Sequence, residues 1–338
     1  MMELLSKYVE FKNGKKRPTL KGTIPVYGGN GILDYTNTAN MQSGVVIGRV
    51  GVYCGSVFLV REECWVSDNA IKAMCKENID LGYLYYLLSS LHLNERRIGT
   101  SQPLLTQNIL NNIEVEIPEL AIQKKISSIL ELLDEKIKLN NEINKNLEEQ
   151  AATLFSENYF NRNYNVSKLE DIATIKYGKE LPTKKLTPKG FPVFGGNGVI
   201  GKYIHFMYDE PQILVSCRGA ASGNIIETYP NSFITNNSLV LEWNDYRYYE
   251  FYKQFLFANP LHTYATGSAQ PQITIDNIKN VPFPCPKYDE IRELCSQLKS
   301  ISALHFENIV ESNKLSMLRD TLLPKLISGE LDVSNLDI

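Results

Sequence analysis

The chain has 338 residues, 43% hydrophobic and 22% charged, with a net charge of −3. That is long enough for two domains with cores of their own, and the balance excludes a strongly basic binder of histone type, though a local basic patch can sit on a chain that is acidic elsewhere. No apolar run approaches the roughly 18 residues of a membrane helix, and Met1-Met2-Glu3 lacks the basic and apolar start of a signal peptide, so the expectation is cytoplasmic.

In chain order, a basic cluster comes first: Lys12, Lys15, Lys16, Arg17 and Lys21. It fits either a phosphate-binding edge or a solvated loop. Pro25-Val26-Tyr27-Gly28-Gly29-Asn30-Gly31 follows, then short apolar runs such as Val45-Val46-Ile47 between turn residues, which predict short strands and long loops. Arg49 closes one such run. Ser67-Asp68-Asn69 comes next, a helical piece over Leu81–Leu93, then Arg96-Arg97 and Gly99-Thr100-Ser101-Gln102-Pro103. After Pro118 the period changes. Ile126, Leu130, Leu133, Ile137, Leu147, Ala151 and Leu154 recur by threes and fours, interrupted at Asn140 and Asn144, the spacing of a long helix packed on another. A linker is expected over Ser156–Val166.

About 168 residues later the same order returns. Leu5–Lys15 matches Leu169–Lys179, and a second basic cluster comprises Lys176, Lys179, Lys184, Lys185 and Lys189. Pro192-Val193-Phe194-Gly195-Gly196-Asn197-Gly198 repeats the glycine motif. Gly51 and Gly55 return as Gly219 and Gly223, Ser67-Asp68-Asn69 as Thr235-Asn236-Asn237, and the later loop as Gly267-Ser268-Ala269-Gln270-Pro271. A helical piece spans Tyr246–Phe257. The second seam is Leu294, Leu298, Ile301, His305, Leu315, Arg319 and Leu322, interrupted at Asn308 and Ser312. Each seam helix of about 40 residues would be roughly 60 Å long. Neither can bury its stripe alone, so an antiparallel intramolecular coiled coil with pseudo-twofold symmetry is expected. Asn140 and Asn308 either meet in that seam and set its register, or face solvent.

Several apparent motifs fail. Phe194–Gly198 is like the glycine loop of an S-adenosylmethionine site, but the Asn/Asp-Pro-Pro-Tyr/Phe that would hold a target base does not accompany it; Asn259-Pro260-Leu261-His262 does not qualify. Gly196-x4-Gly201-Lys202 is like a phosphate loop, but Tyr203 stands where Ser or Thr must reach the metal. The six cysteines show no metal spacing and are read as reduced, mostly buried thiols. The Gly-Gly-Asn-Gly loops are read as tight turns, with direct DNA contact from their amides as the alternative. The small polar loops before each helix offer glutamine to an adenine edge, or serve as plain turns, and Arg49 and Arg218 either read guanine or form ordinary ion pairs. The candidate DNA-binding residues are therefore Lys15, Lys16, Arg17, Arg49, Asn69, Arg96, Arg97, Ser101, Gln102, Lys179, Lys184, Lys185, Arg218, Asn237, Ser268, Gln270 and Gln272. No catalytic or metal site is expected.

Three signals together resemble the DNA-specificity subunit of type I restriction-modification systems: Pro-Val-Tyr/Phe-Gly-Gly-Asn-Gly near the start of both modules, Gly-Ser-x-Gln-Pro-x-Ile/Leu-Thr before both helices, clearest at Gly267–Thr274, and the helix entry Ile117–Ile126. The end of the chain, Leu322–Leu331, also resembles that family. The resemblance covers nearly the whole chain. It implies an α+β architecture of two tandem modules: a target-recognition domain over 1–118, a spacer helix over 119–157, a second recognition domain over 158–286, and a second helix with tail over 287–338. It further implies that each recognition domain reads half of a split double-stranded DNA site, the helices setting the gap. Two methyltransferase subunits would dock on the helices, with restriction subunits as further partners, and those partners would carry S-adenosylmethionine, ATP and Mg. No cofactor is expected on this chain and no membrane association. Unlike loops in the two modules predict an asymmetric site. The alternative reading is a stand-alone DNA-binding regulator of the same duplicated fold.

Overall fold

The computed structural model describes residues 2–99, 103–159, 163–267 and 270–336. The first module runs β1 (Glu3–Leu4), β2 (Val9–Asn13), β3 (Ile24–Gly28), β4 (Gly31–Thr36), β5 (Gly44–Gly48), β6 (Val57–Val60), β7 (Trp65–Val66), β8 (Ala70–Cys75), α1 (Leu81–Ser90), α2 (Gln107–Asn111), β9 (Glu114–Val115) and the long helix α3 (Leu120–Tyr159). The second runs β10 (Asn165–Lys168), α4 (Leu169–Ile172), β11 (Ala173–Tyr177), β12 (Phe191–Gly195), β13 (Gly198–Tyr203), β14 (Ile213–Ser216), β15 (Ile225–Glu227), β16 (Phe233–Ile234), β17 (Ser238–Trp243), α5 (Tyr249–Ala258), α6 (Ile275–Ile278), β18 (Pro282–Cys285) and α7 (Tyr288–Ile327). The α+β reading of the sequence stands. Each long helix has 40 residues.

The compact units cut across the covalent order. One comprises residues 1–139 and 311–338, the other residues 140–310. Each unit therefore holds one β-rich domain and a portion of both long helices.

In the first unit a four-stranded sheet, β2-β8-β5-β6, faces a three-stranded sheet, β4-β3-β7. All five residues of β5 are buried because both of its faces are covered. Val45 and Ile47 point into the main core beneath α1, while Val46 points into a smaller cluster of Met41, Val60, Cys64, Val66 and Ala70. Helix α1 starts at Asp80, whose side chain accepts from the Tyr83 N–H at 2.9 Å. It ends before His92, a non-glycine residue at φ +47°, so the piece expected over Leu81–Leu93 stops at Ser90. Ile126 and Leu130 of α3 and Leu326 and Val333 of the C-terminal segment close the core. The two helix portions here run antiparallel, with Asp134 to Arg319 at 2.6 Å and Lys136 to Glu311 at 3.2 Å.

The second unit repeats the plan: sheet β11-β17-β14-β15 and sheet β13-β12-β16. Ile213 and Val215 face the main core, while Leu214 joins Phe194, Ile234 and Val240 in the smaller cluster. The linker expected from Ser156 is helical through Tyr159 instead. Aromatic packing is the reason: Phe155 stacks on Tyr159 at 5.2 Å and meets Phe251 edge-on at 5.4 Å, so the last helical turn is anchored in the core. The helix portions run antiparallel here too, with Asn308 Nδ2 donating to Asn144 Oδ1 at 2.8 Å and His305 Nε2 lying 3.0 Å from Glu148. Asn308 thus pairs with Asn144, one turn along from the Asn140 expected.

Candidate nucleic-acid interface

Three backbone turns meet at one end of the first unit's sheets. The Gly-Gly-Asn-Gly motif is the β3–β4 hairpin, with Gly28 paired to Gly31 and Gly31 at φ +85°. Its Gly29 carbonyl accepts from the Ser56 hydroxyl. After β5 the chain passes Arg49 and turns through a 3-10 segment, Gly51–Tyr53. The Arg49 N–H donates to Asn69 O at 3.0 Å, and the Arg49 carbonyl accepts from the Leu105 N–H at 2.9 Å. Gly51 N–H donates to Pro103 O at 3.1 Å, which ties the loop before α2 to the same place.

The second unit builds this corner again. Gly195 pairs with Gly198 across the β12–β13 hairpin, and the Ser216 hydroxyl donates to the Gly196 carbonyl. Cys217 N–H donates to Asn237 O at 3.0 Å, Ile273 N–H to Cys217 O at 3.1 Å, and Gly219 N–H to Pro271 O at 2.9 Å. Gly51 and Gly219 have φ of +70° and +72° and nothing within 4 Å of where a Cβ would stand. Glycine is needed there for backbone conformation, and the space beyond is open.

One hydroxyl-to-glycine bond is made from different strands in the two copies. Ser56 precedes β6, whereas Ser216 ends β14, at the position that Gly48 occupies in the first copy. A Cβ on Gly48 would lie 2.4 Å from the Ser56 hydroxyl, so with serine at 56 the position at 48 is held to glycine, whereas the second copy has Asn224 in place of Ser56 and Ser216 in place of Gly48.

This geometry sorts the candidate residues. Arg49 and Asn69 come together in the first corner, and Arg218, Asn237 and Gln272 are at the second, where Arg218 and Gln272 are bridged strand partners. Arg49 and Arg218 are not equivalent. Bridges Val50–Leu104 and Arg218–Gln272 correspond, so Arg218 stands at the place of Val50, and Cys217 at that of Arg49. Arg49 has a buried Nε without a hydrogen-bond partner among the described residues, whereas Arg218 is exposed. Lys15 and Lys179 flank the corners through backbone bonds to Val66 and Ile234. Lys16, Lys184, Lys185 and Gln270 are exposed, with no described contact to the corners. Arg17 faces Asp34 at 3.8 Å, and Lys21 reaches the same carboxylate at 2.7 Å. That ammonium holds the Asp34 carboxyl below its ordinary value, so the acid partly neutralises this edge. Arg96 and Arg97 are exposed at the entry to the loop before α2. Ser101, Gln102 and Ser268 lie outside the described residues.

Sequence reasoning missed the turn tip itself. Val52 is 83% exposed and Tyr53 49%. The corresponding residues of the second module are Ala220 and Ala221. The only hint was the repeated Gly51 and Gly219. Also missed was a cleft of about 360 Å³ in the second unit, lined by Asn197, Asn224, Phe257, Pro260 and His262 among others. His262 Nδ1 lies 2.8 Å from the Ser222 carbonyl. A carbonyl only accepts, so Nδ1 is the donor in this contact. The apparent phosphate loop is a hairpin: Gly201 and Lys202 are strand residues of β13, paired with Val193 and Pro192. Among the described residues no group of three His, Cys, Asp or Glu is placed to hold a metal ion, and no helix is long and apolar enough to cross a membrane. All six cysteines are unbridged.

The family profile described as "Type I restriction modification DNA specificity domain" matches twice, over residues 6–149 and 161–314. The chain belongs to this family. Each match takes in one turn-bearing corner and most of the helix that follows. Among relatives of the type I specificity family, the MjaIX specificity subunit of Methanocaldococcus jannaschii is 24% identical over 314 residues, covering 77% of this chain and 71% of that protein. The EcoprrI specificity subunit of Escherichia coli is 26% identical over 111 residues, which is 32% of this chain and 28% of that protein. The crystal structure of a type I restriction-modification S subunit from M. genitalium has a TM-score of 0.68 at 19% identity, covering 99% of this chain and 96% of that one, and so shares the fold.

Proposed function

We propose that this chain is the non-catalytic specificity subunit of a cytoplasmic type I complex, and that each glycine-turn corner reads one half of a split double-stranded DNA site. The observation that carries this is the corner built twice: one set of backbone bonds, with different side chains displayed from it. The first corner presents Arg49, Val52, Tyr53 and Asn69, and the second presents Arg218, Asn237 and Gln272. Arginine suits guanine O6 and N7, amides suit adenine N6 and N7, and apolar groups suit the thymine methyl. The half-sites are therefore different. Lys15 and Lys179, beside the corners, serve as phosphate contacts that position without specifying. The long helices set the gap and carry the methyltransferase subunits, with restriction subunits joining them. S-adenosylmethionine, ATP and Mg reside on those partners.

The test is co-expression with a type I methyltransferase subunit from the same genome, followed by mapping of methylated adenines. One split, asymmetric motif that vanishes when this chain is omitted is the expected result. A palindromic motif, or methylation independent of this chain, would contradict the reading.

A further inference from the structure

We propose that Lys253 is a positioning residue: it fixes the angle at which the second β-rich domain stands on α7, and so limits the spacings between half-sites that the chain accepts. The inference rests on the function proposed above. Lys253 lies on α5, and its side chain is 3% exposed. Its Nζ reaches three groups on three elements: Glu227 Oε1 of β15 at 3.1 Å, Glu250 Oε2 of α5 itself at 2.7 Å, and Ser302 Oγ of α7 at 2.6 Å. Ser302 Oγ also donates to Glu250 Oε2 at 2.8 Å, and the Tyr249 hydroxyl donates to Glu227 Oε1 at 3.0 Å. The network thus ties the sheet edge and α5 to the long helix.

The core around it does not require a charge there. Burying an ion pair costs desolvation that its attraction often fails to recover, and apolar residues of similar volume commonly do as well. What directed bonds supply and apolar packing does not is a single relative orientation. The first unit puts a clamp at the same station with other chemistry. Ser302 is matched 168 residues earlier by Asp134 of α3, which accepts from the Tyr86 hydroxyl of α1 at 2.7 Å. At the position of Glu250 the first unit has Gly82, where a Cβ would lie 2.0 Å from Glu131 Oε1, and Glu131 pairs with Arg61 at 2.6 Å. The acid has moved from the short helix to the long one, yet a polar tie between domain and helix is present in both.

The test uses the full chain co-expressed with its methyltransferase subunits and reads two quantities, thermal stability and the set of spacers in the methylated motif. The triple variant K253M/E227Q/E250Q removes all three charges together, so no ion is stranded. The expected result is an unchanged pair of half-sites and a Tm close to the parent, with preference for the parent spacer over neighbours one base pair longer or shorter reduced about tenfold. Lys253→Arg in the parent, which keeps the charge and both glutamates, should retain the single spacer. Retention of the single spacer in a folded triple variant would overturn the inference and leave the network a stabilising feature only. Should the triple variant not fold, Ser302→Ala removes the tie to α7 without stranding a charge; a single spacer there overturns the inference equally. A parent chain that directs no split motif would instead overturn the functional reading.

Discussion

Lys72 is a charge placed where its sheet offers little to hold it. It lies mid-strand on β8, is 7% exposed, and has the Asn40 carbonyl at 3.1 Å as its hydrogen-bond partner. Burial first, then the neighbouring Lys15 and Lys12, push its pKa below the ordinary 10.5. The unfolded chain therefore binds more protons between the lowered value and 10.5, and stability rises with pH through that window. In the second module Val240 takes this position, inside the smaller apolar cluster. Lys72→Met should raise stability at neutral pH by about 1 kcal/mol, roughly 2–4 °C in Tm, and flatten the rise toward pH 10.5. Thermal melts across that pH range check both parts. A lower Tm at neutral pH would show that the Asn40 bond outweighs burial.

Among the elements, the long helices gain their partners from each other rather than from a thick core. Leu133, Ile137 and Leu147 are only half-buried on α3, as is Leu315 on α7. Directed polar pairs therefore weigh heavily in their register. Asn144 is 7% exposed, and its amide both donates to the His305 carbonyl at 3.2 Å and accepts from Asn308. Asn144→Leu alone strands the Asn308 amide and should cost about 1–3 kcal/mol. The double variant with Asn308→Leu should recover that loss or exceed the parent, since a paired asparagine in a seam lends register at the expense of stability. A double-mutant cycle on thermal unfolding separates these outcomes, because additive effects would mean the two amides do not act as a pair.

For the molecule as a whole, the repeat gives two corners of one backbone design and two long helices of equal length. Removing the same two turns from α3 and α7 shortens each by about 11 Å, roughly three base pairs of duplex. Adenine mapping should then show both half-sites unchanged with a shorter gap; an unchanged gap would remove the helices from the role of ruler. Much of this design was legible in the chain. The duplication, the strands, the change of period at each helix and the glycine turns follow from local spacing and backbone chemistry, which act over a few residues. The partners of those features were not legible. Arg49 and Arg218 look alike in sequence because each follows an apolar run, yet they stand one position apart in the repeated ladder, so that Arg49 has its Nε buried and Arg218 is exposed. The asparagine pairing missed by a turn for a similar reason: the apolar stripe fixes which face of a helix is buried, but not how far one helix slides along the other.

The sequence by itself determined the family, the two-module order and the residue types available for DNA contact, because periodicity and glycine conformation are properties of short stretches. Only the tertiary structure decided that each compact unit draws on both long helices, that Lys15 and Lys179 flank the corners while Arg17 is drawn to Asp34, and that Lys253 ties a sheet edge to α7. Those outcomes depend on which distant segments share a low-dielectric neighbourhood, where one unpaired charge or hydroxyl outweighs local preference.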